Sequence, residues 1–432
     1  MSETTVSASG FHGLGIAPDL LGVLARLKFT EPTPIQRQSI PVAIEGKDLV
    51  GIAQTGTGKT LAFGIPLVQK LAQGSAKLGG RALIMLPTRE LALQVGEVLE
   101  RLGRPLQLTA AVLIGGANIN TQFRALAKHP DIIIGTPGRL IDHLEQKRLI
   151  LTHMQMVVLD EADRMLDMGF LPQIKKVLAK LPQERQTMLF SATMPTEIAT
   201  VAATYMRLPV RVEVAPSGTT AERVTQELFI VPKEQKFNLL TKLLAEHRGT
   251  TLVFTRTKYG AKGVVRKLHA SGIAAGELHA NRSLGQRQEA LAGFKSGKYR
   301  VLVATDIASR GIDVVGIELV LNFDLPSTSD DYVHRIGRTA RAGAGGHAIS
   351  FAVPDQQKEV RAIERMIKKT LPISKLPDLP AYIPRDPASP QSKMPRTRPA
   401  RPHPSAQARH PRPYGPARPG NAPRRQSRNR PR

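Results

Sequence analysis

Short apolar runs recur along the chain and alternate with stretches whose apolar residues fall at helical spacing. The first run is 48–52; others follow at 81–86, 109–114, 131–135, 157–160, 187–190 and 210–214. Strands buried on both faces of a parallel sheet read as continuous apolar runs, whereas an amphipathic helix repeats every 3.6 residues. The alternation therefore predicts a doubly wound α/β sheet. Upstream of it, 14–27 has the spacing of a surface helix. Phe29-Thr30-Glu31-Pro32-Thr33-Pro34-Ile35-Gln36 then reads as a proline-held turn leading into a second helix.

After 214 the pattern breaks at Ala215-Pro216-Ser217-Gly218-Thr219-Thr220, a small polar linker. A second α/β series begins, with apolar runs at 226–231, 251–254, 274–278, 301–304, 319–323 and 348–353. The expected division is a first domain at 1–214, a linker at 215–222, a second domain at 223–372 and a tail at 373–432. From about residue 385 the tail alternates proline with arginine, and Asp386 is its one acid. Such a segment cannot bury a core and is expected to be disordered.

In open α/β sheets ligands sit beyond the carboxyl ends of the strands. The first such end carries Ala53-Gln54-Thr55-Gly56-Thr57-Gly58-Lys59-Thr60. It matches the phosphate-loop pattern G-x-x-x-x-G-K-[ST] except at Ala53. Gly56 and Gly58 let the backbone curl so that N–H groups converge on an anion, and the following helix adds a positive dipole end. Lys59 supplies a mobile cation for the terminal phosphates, and Thr60 a hydroxyl for Mg²⁺. A nucleoside-triphosphate site follows. The run 156–159 ends in Asp160-Glu161-Ala162-Asp163. In a phosphate-loop protein the aspartate at such a strand end is the expected Mg²⁺ partner, and the next carboxylate can orient or deprotonate a water. Gln36 could pair with adenine through its planar amide, but on chemistry alone it reads as an ordinary helix residue.

Charge then narrows the partner. The chain has 61 Lys and Arg against 35 Asp and Glu, a formal net charge of +26, which points to a polyanion, nucleic acid before acidic membrane. Aromatic residues make up 4 % with no tryptophan, so backbone contacts are favoured over base stacking. Cysteine is absent, which excludes disulfides and thiolate metal sites. There is no apolar run of about 18 residues. A soluble, cytoplasmic chain without membrane contact is expected, and a monomer.

Taken in order, Ala53–Thr60, Asp160-Glu161-Ala162-Asp163, Ser191-Ala192-Thr193 and His334-Arg335-Ile336-Gly337-Arg338-Thr339-Ala340-Arg341 resemble the signatures of DEAD-box ATP-dependent RNA helicases. The resemblance runs from about 11 to 352, and the sequence between motifs is most similar to bacterial RhlE-type members. It implies two tandem RecA-like domains, ATP and Mg²⁺ as ligands, and local melting of short RNA duplexes. It makes Gln36 the reader of adenine and Phe11 the aromatic that stacks on the base. Thr55, Gly56, Thr57, Gly58, Lys59 and Thr60 would hold the phosphates, Thr60 and Asp160 the magnesium, and Glu161 the attacking water. Asp163, Ser191, Thr193 and His334 would couple nucleotide state to domain contacts. Arg89, Gly116, Thr136, Arg139, Thr305 and Asp306 would grip one RNA strand by its backbone. Asp313 would meet the ribose, and Arg338 and Arg341, on one face if their segment is helical, would be arginine fingers.

Three positions depart from the family pattern. Leu284 stands where a glutamine is usual, which predicts a missing RNA or interdomain contact. Ala280 and Ala340 stand where glycine is common. Two other functions fit the same residues: an ATP-gated RNA clamp or chaperone, and a DNA translocase on paired domains. The tail would bind RNA by counterion release. Ribosome-assembly or RNA-degradation proteins are family-level partners.

Overall fold

The computed structural model describes residues 10–54, 56–74, 81–214, 224–309, 314, 316–339 and 345–380. Residues 1–382 form one compact unit; the second unit, 383–432, contains no described residue, so the tail expected from about 385 lies outside the described residues.

The first unit holds two parallel sheets. The first sheet comprises β1 (Leu49–Ile52), β2 (Arg81–Met85), β3 (Ala110–Leu113), β4 (Ile132–Gly135), β5 (Met154–Asp160), β6 (Gln186–Ser191) and β7 (Val210–Glu213). Their order is β3-β4-β2-β5-β6-β1-β7. The second comprises β8 (Val224–Ile230), β9 (Thr251–Phe254), β10 (Ala275–Leu278), β11 (Val301–Ala304), β12 (Leu319–Asn322) and β13 (Gly346–Ala352), in the order β10-β11-β9-β12-β13-β8. We call the two sheets with their helices the first and second lobes.

Each sheet is buried on both faces, which is why its strands read as unbroken apolar runs. Along β2, Ala82 and Ile84 enter one core while Leu83 and Met85 enter the core on the opposite face. The second lobe repeats this, with Leu302 and Ala304 on one side of β11 and Val301 and Val303 on the other. Gly51 in β1 permits close strand packing: a Cβ there would lie 2.6 Å from the Phe190 ring of β6.

Register aligns the chemistry. Ile52 of β1 lies opposite Ser191 of β6, and Asp160 of β5 lies opposite Phe190 of β6. The phosphate loop, the carboxylate pair and Ser191-Ala192-Thr193 therefore leave three adjacent strands at one level.

Two expectations change. The first helix spans Pro18–Arg26 rather than 14–27, because Pro18, with φ fixed and no N–H to donate, occupies its first turn. Residues 373–380, expected in the tail, lie against the second lobe. Ile373 bridges Leu228, the Ser374 N–H donates to the Leu228 carbonyl (2.9 Å), and Asn238 Nδ2 donates to the Pro380 carbonyl (3.5 Å).

Candidate nucleotide and nucleic-acid site

The loop after β1 is shaped by two glycines in the left-handed region, Gly56 (φ 85°) and Gly58 (φ 89°). Gly58 caps the helix Lys59–Gln73, and the Thr57 hydroxyl donates to the Gln54 carbonyl (2.7 Å), closing the turn. Gln36 is not an ordinary helix residue. Its Oε1 accepts from the Thr33 N–H (2.9 Å), completing the capping box of the helix Pro34–Ile44. Its Nε2 donates to the Gly58 carbonyl (2.9 Å), so one amide joins the upstream turn to the phosphate loop. A Cβ at Gly58 would sit 2.3 Å from that nitrogen. Lys59 is buried, and its ammonium has no hydrogen-bond partner among the described residues. A buried ammonium without a hydrogen-bond partner beside curled backbone fits a polyphosphate ligand. Thr60, half-buried, follows it in the same helix turn. Thr55 lies outside the described residues.

Lys59 acts electrostatically on both Asp160 and Asp163. Burial pushes the Asp160 carboxyl up to about 6, with Glu161 adding to the rise and Lys59 opposing it. A buried carboxylate that resists ionisation is one that a divalent cation would stabilise. Among the described residues no group of three His, Cys, Asp or Glu could hold a metal alone. The Asp160 carboxylate and the Thr60 hydroxyl are hard oxygen donors of the kind that suit Mg²⁺ accompanying phosphates.

Glu161 sits at φ 54°, a left-handed conformation unusual for a side chain of its size. It is held there by Arg164, whose Nη1 donates to Glu161 Oε2 (2.8 Å) with both side chains buried. Asp163 ties this strand end to the next. Its Oδ2 accepts from the Ala192 N–H (3.1 Å), the Thr193 N–H (2.9 Å) and the Thr193 hydroxyl (3.0 Å), and its own N–H donates to Ser191 Oγ (3.2 Å). Burial alone would raise the Asp163 carboxyl. Lys59, these bonds and Arg164 together hold it below the ordinary value.

A cleft of about 410 Å³ is lined by both lobes. Arg89, Thr136 and Arg139 line it from the first, and Ala280, Arg282 and Arg287 from the second. Arg89 lies on a glycine bed: a Cβ at Gly116 (φ +77°) would be 2.5 Å from its guanidinium. Among the described residues an ion pair crosses between lobes, with Arg287 Nε donating to Glu90 Oε1 (2.6 Å), both buried. Arg287 also donates to the Ala308 carbonyl (3.2 Å).

Several expected residues differ from their assignment. Phe11 has no face open to a base: its ring is 1 % exposed and belongs to the first core with Leu20, Leu24 and Ile35. Asp306 does not line the cleft. Both its oxygens are taken by Arg335, at 2.5 and 2.8 Å. Thr305 also stands outside the cleft lining; its carbonyl accepts from Ala308 and Ser309 and starts the short helix Asp306–Ser309. The helix Ser329–Ile336 carries His334 but ends before Arg338, which lies buried in the following turn. The shared helical face supposed for Arg338 and Arg341 therefore does not form at Arg338. Arg341, Asp313 and Ala340 lie outside the described residues. Leu284 is not a lost contact: half-buried, it packs against the first lobe's core.

Sequence alone gives no role to Arg164, Glu90, Arg287 or Arg335. Arg164, three residues after Glu161, has a helical-spacing signal. Glu90 and Arg287 are 197 positions apart, and nothing local links them.

A curled phosphate loop, an acidic pair two strands away at the same level and two parallel-sheet lobes meeting at a basic cleft define a two-lobed P-loop nucleoside triphosphatase. Residues 33–201 match the DEAD/DEAH box helicase family and 235–343 the helicase conserved C-terminal domain. The chain is 43 % identical to the DEAD-box ATP-dependent RNA helicase CshA of Geobacillus kaustophilus over 85 % of its length and 79 % of the relative's. It is also 43 % identical to CshA of Bacillus subtilis, covering 85 % and 74 %. The protein belongs to the DEAD-box ATP-dependent RNA helicases. Among solved structures it resembles S. cerevisiae Dbp5 bound to RNA and ADP BeF3, with TM-score 0.74, 30 % identity and 86 % and 96 % of the two chains covered. It also resembles Mss116p bound to ssRNA and AMP-PNP, with TM-score 0.76, 27 % identity and 84 % and 78 % covered.

Proposed function

We infer that this chain is an ATP-dependent RNA helicase: it hydrolyses ATP in an RNA-stimulated manner and melts short duplexes or remodels RNA–protein complexes as its lobes close. Membership of the family and the RNA and ATP-analogue complexes of similar structures support this. The observation that carries the reading to this chain is the buried, partnerless Lys59 ammonium where β1, β5 and β6 end together.

Lys59 and the N–H groups of 56–60 would bind the phosphates, and Gln36, fixed on Gly58, would place the base edge. Mg²⁺, held by Asp160 and Thr60, would neutralise charge on the phosphates. Glu161 would position the water, oriented by Arg164. Arg338, and Arg341 beyond the described residues, would supply cations from the second lobe. Asp163 would report the nucleotide to Ser191 and Thr193. RNA backbone would lie in the cleft against Arg89, Thr136 and Arg139. Because ATP and RNA both favour the closed lobes, each strengthens the other's binding. A bent strand held by its sugar–phosphates favours RNA over DNA.

The finer placement beside RhlE-type members is a proposal resting on the sequence between motifs; the relatives given above are CshA proteins. The domain division at 214 and 223, action as a monomer in the cytoplasm, RNA tethering by the basic tail, and partners in ribosome assembly or RNA decay are proposals of the same kind. The test is displacement of a short RNA duplex with ATP. Wild type should displace it, and Lys59→Ala should not, while Lys59→Ala still binds RNA through the cleft and tail. Retention without displacement in wild type favours the clamp. Equal stimulation of ATPase by DNA would sink the RNA assignment.

A further inference from the structure

The last described helix, Gln357–Ile367, buries Ile363 and Ile367 in the second lobe's core. Its opposite side carries Lys358, Arg361 and Arg365, at the i, i+3, i+7 spacing that aligns side chains on one helix face. Lys368 and Lys369 follow at its end, and all five are exposed. They surround a concavity of about 780 Å³ in which Glu364 is the single carboxylate among the lining residues. Glu364 is already used, its Oε1 accepting from the Leu371 N–H at 3.0 Å. Among the described residues none of the five cations is paired with a carboxylate. Some other surface arginines are paired, Arg207 with Glu184, Arg211 with Glu213 and Arg37 with Glu31, and others such as Arg101 and Arg124 are not; what sets this helix apart is five unpaired cations around one concavity. A solvated helix face ordinarily intersperses acids that form i,i+4 pairs; here Arg361 and Arg365 are a like-charged i,i+4 pair, which costs stability unless an anion lies across it.

We propose that this face is a second RNA-binding surface, separate from the interlobe cleft, that takes the phosphate backbone of flanking RNA. The proposal rests on the helicase reading. No aromatic side chain lines the concavity, so it offers no stacking platform, and the contacts would be to phosphates without sequence preference. RNA is favoured over an acidic protein because five unpaired cations in an open, non-aromatic groove suit a continuous line of charge. Position sets the length requirement. The second-lobe cleft residues Ala280 and Arg282 follow β10, whereas the helix Gln357–Ile367 follows β13, four strands across the sheet. At about 4.8 Å per strand that is ~19 Å, or ~14 Å from the cleft residue Ala308 after β11, so RNA filling only the cleft does not reach it.

The test uses the full chain with Lys358→Glu, Arg361→Glu and Arg365→Glu combined, and the matching glutamine variant. An RNA of about 10 nucleotides lies within the ~4–16-nucleotide site size of a single binding module and one of about 30 lies well beyond it. Anisotropy over a salt series gives affinity and slope, and ATPase stimulated by the short RNA checks the core. For the long RNA the glutamate variant should lose about ten-fold in affinity or more, and its log–log salt slope should flatten by about 2, three contacts at ~0.7 each. The glutamine variant should fall between. Short-RNA affinity and ATPase should be unchanged. Unchanged long-RNA affinity and slope would overturn the proposal. So would loss of short-RNA-stimulated ATPase in a folded variant, which would place the face in the core machinery. An acidic polypeptide that binds wild type but not the variant, with long-RNA binding unaffected, would assign the face to a protein partner instead. Wild type lacking RNA-stimulated ATPase would count against the helicase reading, and the salt slopes would still decide this surface.

Discussion

Arg164 shows how one side chain fixes a reacting group. It neutralises Glu161 inside the protein and holds it in a backbone conformation it would not choose alone. Arg164→Met would leave a buried carboxylate unpaired, a loss of about 3–5 kcal/mol. Urea denaturation should show that loss, and RNA-stimulated ATPase should fall with it. An unchanged midpoint would mean that Glu161 finds water instead. Tyr332 gives a residue-level pH effect. It is buried, donates to Gln226 Oε1 (2.9 Å), and burial pushes its hydroxyl up to about 12 from 10.0. The folded state thus holds a proton that the unfolded chain releases first. The stabilisation is complete below pH 10 and is lost as pH rises towards 12, by about 2–3 kcal/mol. Tyr332→Phe should therefore lose less stability than wild type between pH 10 and 12, as read by alkaline denaturation. At this scale the sequence was only partly legible. Lys59, Asp160 and Asp163 announced themselves through spacing, while Gln36 gained its position only from a bond to Gly58, 22 residues away. Phe11 and Asp306 sit in familiar motifs, yet burial and an arginine have claimed them.

Among elements, the strands were the most legible part, because a sheet covered on both faces leaves short apolar runs bounded by turn residues; the apolar stretch 61–68, buried in the helix Lys59–Gln73, is told from them by its length and its place after the phosphate loop. Element ends were less so. Pro18 delayed the first helix, and 373–380 looked like tail because its contacts, among them those to Glu227, Leu228, Asn238 and Lys242, go far upstream. The pair between Glu90, in the helix Arg89–Gly103, and Arg287, in the helix Leu284–Lys295, joins the lobes directly. Arg287→Ala and Glu90→Ala should each reduce the mutual strengthening of ATP and RNA binding. The double variant should lose less than the sum of the two. A double-mutant cycle on RNA affinity, with and without AMP-PNP, reads this coupling, expected at about 0.5–3 kcal/mol. A coupling of zero would mean the pair is incidental to closure.

At the scale of the whole molecule, both lobes line one cleft, and under the proposed function the contact between them decides when the site is complete. That contact is not purely ionic, since Leu284, half-buried and one turn before Arg287, packs against the first lobe's core. Apolar contacts carry a heat-capacity signature and weaken on cooling, whereas the family's usual glutamine at this place would not. Closure in this protein should therefore be cold-sensitive. Leu284→Gln should give a less negative heat-capacity change on binding AMP-PNP with RNA, measured by calorimetry over a temperature series. Its ATPase should also decline less steeply than wild type's as temperature falls. One leucine in place of an amide would thus set a lower thermal limit for catalysis without touching nucleotide or RNA.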